Sequence, residues 1–214
     1  MAETKKIESQ IKDKKLVETR RREIVKAAVD LFIKKGFHKT TVREIAQKFG
    51  MSIGTMYEYI RTKEDILYLV CDYIHSNVRE KVRPSLTISG NFVETLKRAI
   101  YAYVTVIDEM QDYVVFLYQE TKSLNYEARK YIFRAEEEMT QIFEEILVRG
   151  VEEGAFSIDK KDLSLVAHNI MVMGHMWAFR RWVLQKDYSL ERYIRTQTSL
   201  VLNGLKADIK SPKL

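Results

Sequence analysis

Apolar residues in the first third of the chain return at intervals of three and four. Ile24, Ala28, Leu31 and Phe32 do so between about Val17 and Lys35, the period of a helix with one face turned inward. The run "KKGF" then supplies a basic last turn and a stop at Gly36. Thr41-x-x-Glu44 has the form of a capping box and opens a second helix, apolar at Val42, Ile45, Ala46 and Phe49. Gly50 ends it after barely two turns. Ser52 is placed to cap a third, equally short helix that runs to about Ile60. Thr62 opens a fourth, with Glu64 and Asp65 in its first turn and Ile66, Leu67, Val70, Ile74 and Val78 along it to Pro84.

The same period continues beyond a loop, "RPSLTISGN". Asn91-x-x-Glu94 starts a helical stretch to about Leu124 with a break between Asp108 and Asp112, and Asn125 starts another that ends at Gly154. Asp159 precedes a long helix to about Lys186, and Ser189 caps a last one to about Leu205. Eight or nine helices and no strand predict an all-α protein. The 2 prolines and 8 glycines in 214 residues agree, because a sheet-rich fold needs more turn residues. No apolar run reaches the roughly 20 residues of a membrane helix. The charged N-terminus has no apolar stretch behind it and does not read as a secretory signal. The single Cys71 has no disulfide partner within the chain, as expected in a reducing, cytoplasmic setting.

Charge separates the chain into two parts. Residues 1–66 hold 16 Lys/Arg against 10 Asp/Glu, which accounts for the whole net charge of +6. A basic head on a neutral body suits a polyanionic partner, although 8 of those cations precede Glu23 and could form a solvated tail. Two short helices joined by a glycine-containing turn, with a longer helix before them, form the helix-turn-helix pattern. In it the second short helix carries polar residues at its start because that end enters the DNA major groove.

The run "TTVREIAQKFGMSIGTMYEYIRTKEDIL" resembles the DNA-binding region of TetR-family transcriptional regulators, from about Arg21 to Val70. The resemblance implies a three-helix DNA-binding head and a C-terminal helical domain for ligand binding and dimerisation. The expected division is a flexible basic extension over 1–16, the head over 17–61 and the effector domain over 62–214. It also implies individual roles. Thr41 meets phosphate and Arg43 reaches a base. Ser52, Ile53, Gly54 and Thr55 form the leading edge of the recognition helix, Tyr57 and Tyr59 brace against the DNA backbone, and Lys63 meets phosphate. The chemistry is consistent: hydroxyls and phenols are uncharged phosphate donors, Gly54 permits close approach, and Arg43 can pair bidentately with guanine. Ile53 stands where many relatives have a polar residue, so contact with a thymine methyl can replace a phosphate contact. Tyr57 and Tyr59, two apart, must face different ways.

The implied partners are a palindromic double-stranded operator, a second copy of the chain and a small apolar effector. "YQETKSL" and "HMWAFRRW" are similar to members that answer to fatty acyl thioesters, while drugs, steroids or aromatic compounds suit a methionine-lined wall equally well. The expected lining is Tyr113, Phe116, Glu120, Met139, Phe143, Met173, His175 and Trp177, with Glu120 and His175 either structural or ligand-orienting. Dimerisation is expected through the last two helices, along Leu163, Val166, Ile170 and Trp177 and along Tyr193, Leu200 and Val201. No cofactor or metal is expected: His168 and His175 lie seven apart, without the one-turn spacing of a helical zinc pair. Glu136, Glu137 and Glu138 read as a solvated face. No Ser-His-Asp order, phosphate-cradling loop or dinucleotide fingerprint points to an enzyme. The alternative is a helical carrier of a lipid-like ligand that does not bind DNA specifically.

Overall fold

The computed structural model describes residues 7, 9–84 and 91–205. Residues 1–6 and 8 of the expected extension, and 85–90 of the loop after the fourth helix, lie outside these. Ten α-helices and no strand occur among the described residues: α1 Lys14–Lys35, α2 Val42–Phe49, α3 Ile53–Tyr59, α4 Lys63–Val82, α5 Phe92–Glu109, α6 Gln111–Glu120, α7 Tyr126–Glu152, α8 Leu163–Phe179, α9 Arg181–Asp187 and α10 Leu190–Gly204. α1 begins three residues before Val17, because the Asp13 carboxylate accepts from the Leu16 N–H and caps it there. The helix expected to run on to Lys186 is interrupted at Arg180. That residue leaves the helical region (φ −107°, ψ 18°), and its carbonyl accepts from both Val183 and Leu184 to start a new ladder.

The helices fall into two units, Met1–Ser76 with Asp112–Glu136, and Asn77–Gln111 with Glu137–Leu214. In the first, Ile24, Ala28 and Phe32 of α1 are buried together with Ile45, Met56, Ile60, Ile66 and Leu67. Phe32 stacks on Phe116 with centroids 5.2 Å apart and meets Phe37 at the same distance. Lys35–Glu44 and Lys48–Asp30, each 2.6 Å, tie α2 to α1 at the surface.

In the second unit α5, α8 and α10 share a core. Tyr103 of α5 is buried against Gly174 of α8, where a Cβ would lie 2.2 Å from its ring. Its hydroxyl donates to the Met171 carbonyl at 3.1 Å. From α10, the Tyr193 hydroxyl donates to the Met173 carbonyl at 2.6 Å, and its ring lies 4.8 Å from that of Trp177. The Trp177 indole N–H donates to Asp108 at 2.6 Å.

This arrangement corrects the expected dimer seam at every named residue but Leu200. Leu163, Ile170, Trp177 and Tyr193 are buried inside the chain and Val166 and Val201 are half-buried. The apolar residues left outside on these helices include Leu165, Val172 and Leu200, each about three-fifths exposed.

Candidate nucleic-acid interface

α2 and α3 are each too short to persist alone, and their caps define where they start. The Thr41 hydroxyl accepts from the Glu44 N–H at 3.2 Å while the Glu44 carboxylate accepts from the Thr41 N–H at 2.8 Å. The Lys35 ammonium, then Thr41, hold the Glu44 carboxyl at about 2. Gly50 takes the left-handed conformation (φ 80°, ψ 25°) that allows the tight turn into α3. The Ser52 hydroxyl accepts from the Thr55 N–H at 3.0 Å and caps α3.

The leading edge of α3 is open. Ser52, Ile53 and Gly54 are exposed, Thr55 is half-buried, and Thr41 and Arg43 are exposed on α2. Gly54 has no structural need to be glycine: an added Cβ would find only the Ser52 hydroxyl, at 3.6 Å. Tyr57 is 44% exposed and Tyr59 only 5%. The two rings face opposite ways, as their spacing demands, and the expected backbone-bracing role of Tyr59 gives way to a place in the core.

Lys63 also departs from expectation. Its ammonium donates to the carbonyls of Phe37, His38 and Thr40 at 2.9, 3.3 and 3.1 Å, and lies 4.4 Å from the centre of the Phe37 ring. Three N–H groups meet three carbonyls, so the cation closes the α1–α2 turn. Lys39, exposed in that same turn, is a cation the sequence reading passed over. Arg21 was likewise unassigned. Its guanidinium donates to the Tyr59 and Ile7 carbonyls, a link between distant residues that no periodicity signals.

The expected effector residues are divided between the units. Tyr113, Phe116 and Glu120 belong to the first, where Tyr113 lies 5.9 Å from Tyr73 and Phe116 is buried on Phe32, a core position. Glu120 is half-buried at the end of α6. The second unit holds Met139, Phe143, Met173, His175 and Trp177, all buried except half-buried His175. Phe143 and His175 both approach Tyr103, at 5.5 and 6.2 Å. Burial lowers the His175 pKa to about 4, so the ring is neutral at physiological pH.

Glu136 is not part of a solvated face. It is half-buried, its carboxylate 3.9 Å from His75, and desolvation raises its pKa to about 7. Glu137 is exposed, and Glu138 accepts from Arg79 at 3.3 Å.

Comparison with known proteins agrees with this geometry. The model for bacterial regulatory proteins of the tetR family matches residues 24–68, and that for the tetracyclin repressor-like C-terminal domain matches residues 89–205. The transcriptional regulator HbdR of Aromatoleum sp. (strain CIB) is 30% identical over 100% of this chain and 95% of its own. The transcriptional repressor KstR2 of Mycobacterium tuberculosis (strain ATCC 25618 / H37Rv) is 28% identical over 78% of this chain and 82% of its own. Among solved structures, the TetR-family regulator PfmR of Thermus thermophilus is similar with a TM-score of 0.73 at 27% identity, over 86% of this chain and 99% of that one.

Proposed function

The chain belongs to the tetR family of bacterial regulatory proteins, and on that premise we propose that it is a homodimeric repressor that binds a palindromic operator and is released by a small, mostly apolar effector. The observation that carries the DNA-binding part is the surface of α2 and α3. Arg43, Ser52, Ile53, Gly54 and Tyr57 are exposed on two capped helices whose fold needs none of these side chains buried. Such a surface offers a guanidinium for a guanine edge, a hydroxyl and a phenol for phosphate, and an isoleucine for a thymine methyl. Repression is the action of KstR2. A protein working on DNA in a bacterium does so in the cytoplasm.

A two-fold dimer places its recognition helices one helical turn of DNA apart, about 34–36 Å, which requires an inverted repeat. The effector must bind the DNA-competent and incompetent states unequally to shift them. The expected lining residues Met139, Phe143 and Met173 are apolar and buried, with neutral His175 in the same unit as a hydrogen-bonding group. Long-chain acyl thioesters head the compounds to be tried, alongside steroids and aromatic molecules.

The test combines Arg43→Ala with Tyr57→Ala. Both side chains are exposed, so unfolding and subunit association should match the parent, while specific binding to a duplex selected by the protein from a randomised pool is lost. Parent binding should weaken steeply with salt. Retained specific binding by the double variant rejects the assignment of the surface. Release of that duplex by an apolar compound tests effector control.

A further inference from the structure

α3 is only seven residues long, and the last carbonyls of a helix have no partner within it. Here they are met by residues that precede α1 and by Arg21 of α1. The Glu58 carbonyl accepts from the Ser9 hydroxyl at 2.9 Å and from the Gln10 N–H at 3.1 Å. The Tyr59 carbonyl accepts from Arg21 Nε at 3.0 Å and Nη2 at 2.9 Å, and the same Nη2 donates to the Ile7 carbonyl at 2.8 Å. The Ser9 hydroxyl also accepts from the Ile11 N–H at 3.1 Å. Four hydrogen bonds thus join the end of α3 to Ser9, Gln10 and Arg21, a fifth ties Arg21 to Ile7, and no glycine terminates the helix: Ile60 is simply extended (φ −137°, ψ 157°).

Arg21 is half-buried in this contact. Burial lowers its pKa, an effect opposed by the nearby Asp65 carboxylate. The segment itself carries no excess charge. Through residue 13, Lys5, Lys6 and Lys12 are balanced by Glu3, Glu8 and Asp13, which argues against a role as a basic arm gripping phosphate. Ile7, Ser9, Gln10 and Arg21 all precede the stretch matched by the family's DNA-binding model, which begins at Ile24.

We propose that Ile7 and Ser9–Ile11, locked by Arg21, are a positioning element of the DNA-binding head: they cap the C-terminal end of α3 and fix how that helix enters the groove. The inference rests on α3 being the recognition helix. The segment works through α3, without touching DNA, so its loss lowers affinity while leaving the number of phosphates neutralised unchanged.

The experiment measures binding to the pool-selected duplex across a salt series, on the full chain. Ser9→Ala should weaken binding about fivefold, the scale of one neutral hydrogen bond, and Ser9→Thr, which keeps the hydroxyl, should restore it. Arg21→Gln should weaken it tenfold or more. The slope of log affinity against log salt should match the parent in every variant, and amide exchange should quicken over Met56–Ile60 but not in α2. Ser9→Ala lies at the edge of the fold and keeps the test decisive if Arg21→Gln fails to fold. Parental affinity in Ser9→Ala overturns the inference. So does a fall accompanied by a shallower salt slope, which identifies a phosphate contact instead. If Arg43→Ala with Tyr57→Ala leaves specific binding intact, the reading of α3 fails; if that pair abolishes binding and Ser9→Ala changes nothing, only the positioning role fails.

Discussion

Single residues in the head separate the needs of folding from those of recognition. Gly54 sits in an ordinary helix with space for a methyl group. Replacing it with alanine should leave stability unchanged or raise it by about 0.5 kcal/mol through the unfolded chain. The same methyl would stand between α3 and the groove floor, so operator affinity should fall at least about tenfold, the scale of one base contact. Denaturant unfolding and a binding titration on the same preparation decide it. Titratable residues give a second expectation. The folded chain disfavours protonated His175, pKa about 4 against an ordinary 6.5, so its contribution to stability is present above pH 6.5 and lost as pH falls through 4. Glu136 has the opposite sign. Its carboxyl keeps its proton up to about 7 against an ordinary 4.5, so its contribution is present below pH 4.5 and lost as pH rises through 7. The two oppose each other between 4.5 and 6.5, and above 6.5 only Glu136 still changes. The thermal midpoint should therefore fall between pH 6.5 and 8, and Glu136→Gln should flatten that limb. An undiminished fall in the variant would assign it to other groups.

At the scale of elements, periodicity and capping residues located most helices because both signals are local. Thr41, Ser52, Asn91 and Ser189 each accept a backbone N–H of the helix they open, as their positions foretold. The break at Arg180 carried no such signal, since no glycine or proline marks it. Side-chain placements were legible where exposure follows from a short amphipathic helix, as at Ser52 and Tyr57. They were not legible where a long side chain folds back on its own domain: Lys63 on three carbonyls, Arg21 on the end of α3. Inward and outward apolar stripes of α8 were confused for a related reason. A helix apolar nearly all round does not say which stripe meets its own chain. Gly174 settles that question for one face. Its lack of a Cβ lets the Tyr103 ring lie directly on the α8 backbone, so Gly174→Ala should force the ring or the helix aside and cost about 1–3 kcal/mol. Thermal or denaturant unfolding measures this, and parental stability would show that α5 and α8 yield without strain.

For the whole molecule, the unburied stripe is what an assembly has to account for. Leu165 and Val172 are seven residues apart, two turns along one face of α8, and Leu200 is exposed on α10 within the same unit. Apolar side chains left out on two helices of one unit are covered most simply by the same helices of a second copy, because a two-fold axis pairs each patch with itself. The proposed operator recognition needs that second copy, since one head engages only half of an inverted repeat. Both requirements predict the same outcome for Leu165→Glu combined with Leu200→Glu. Neither side chain contributes to the buried core, so the fold and its helix content should persist. Each subunit would then bring like charges together at the seam, and the molecule should sediment as a monomer at micromolar concentration. With the second head no longer held nearby, operator affinity should fall by on the order of a hundredfold, while weak binding to a half-site remains. Sedimentation and titration of full and half operators measure the two effects together. A dimer that survives both substitutions with full operator affinity would place the interface on another face of the chain.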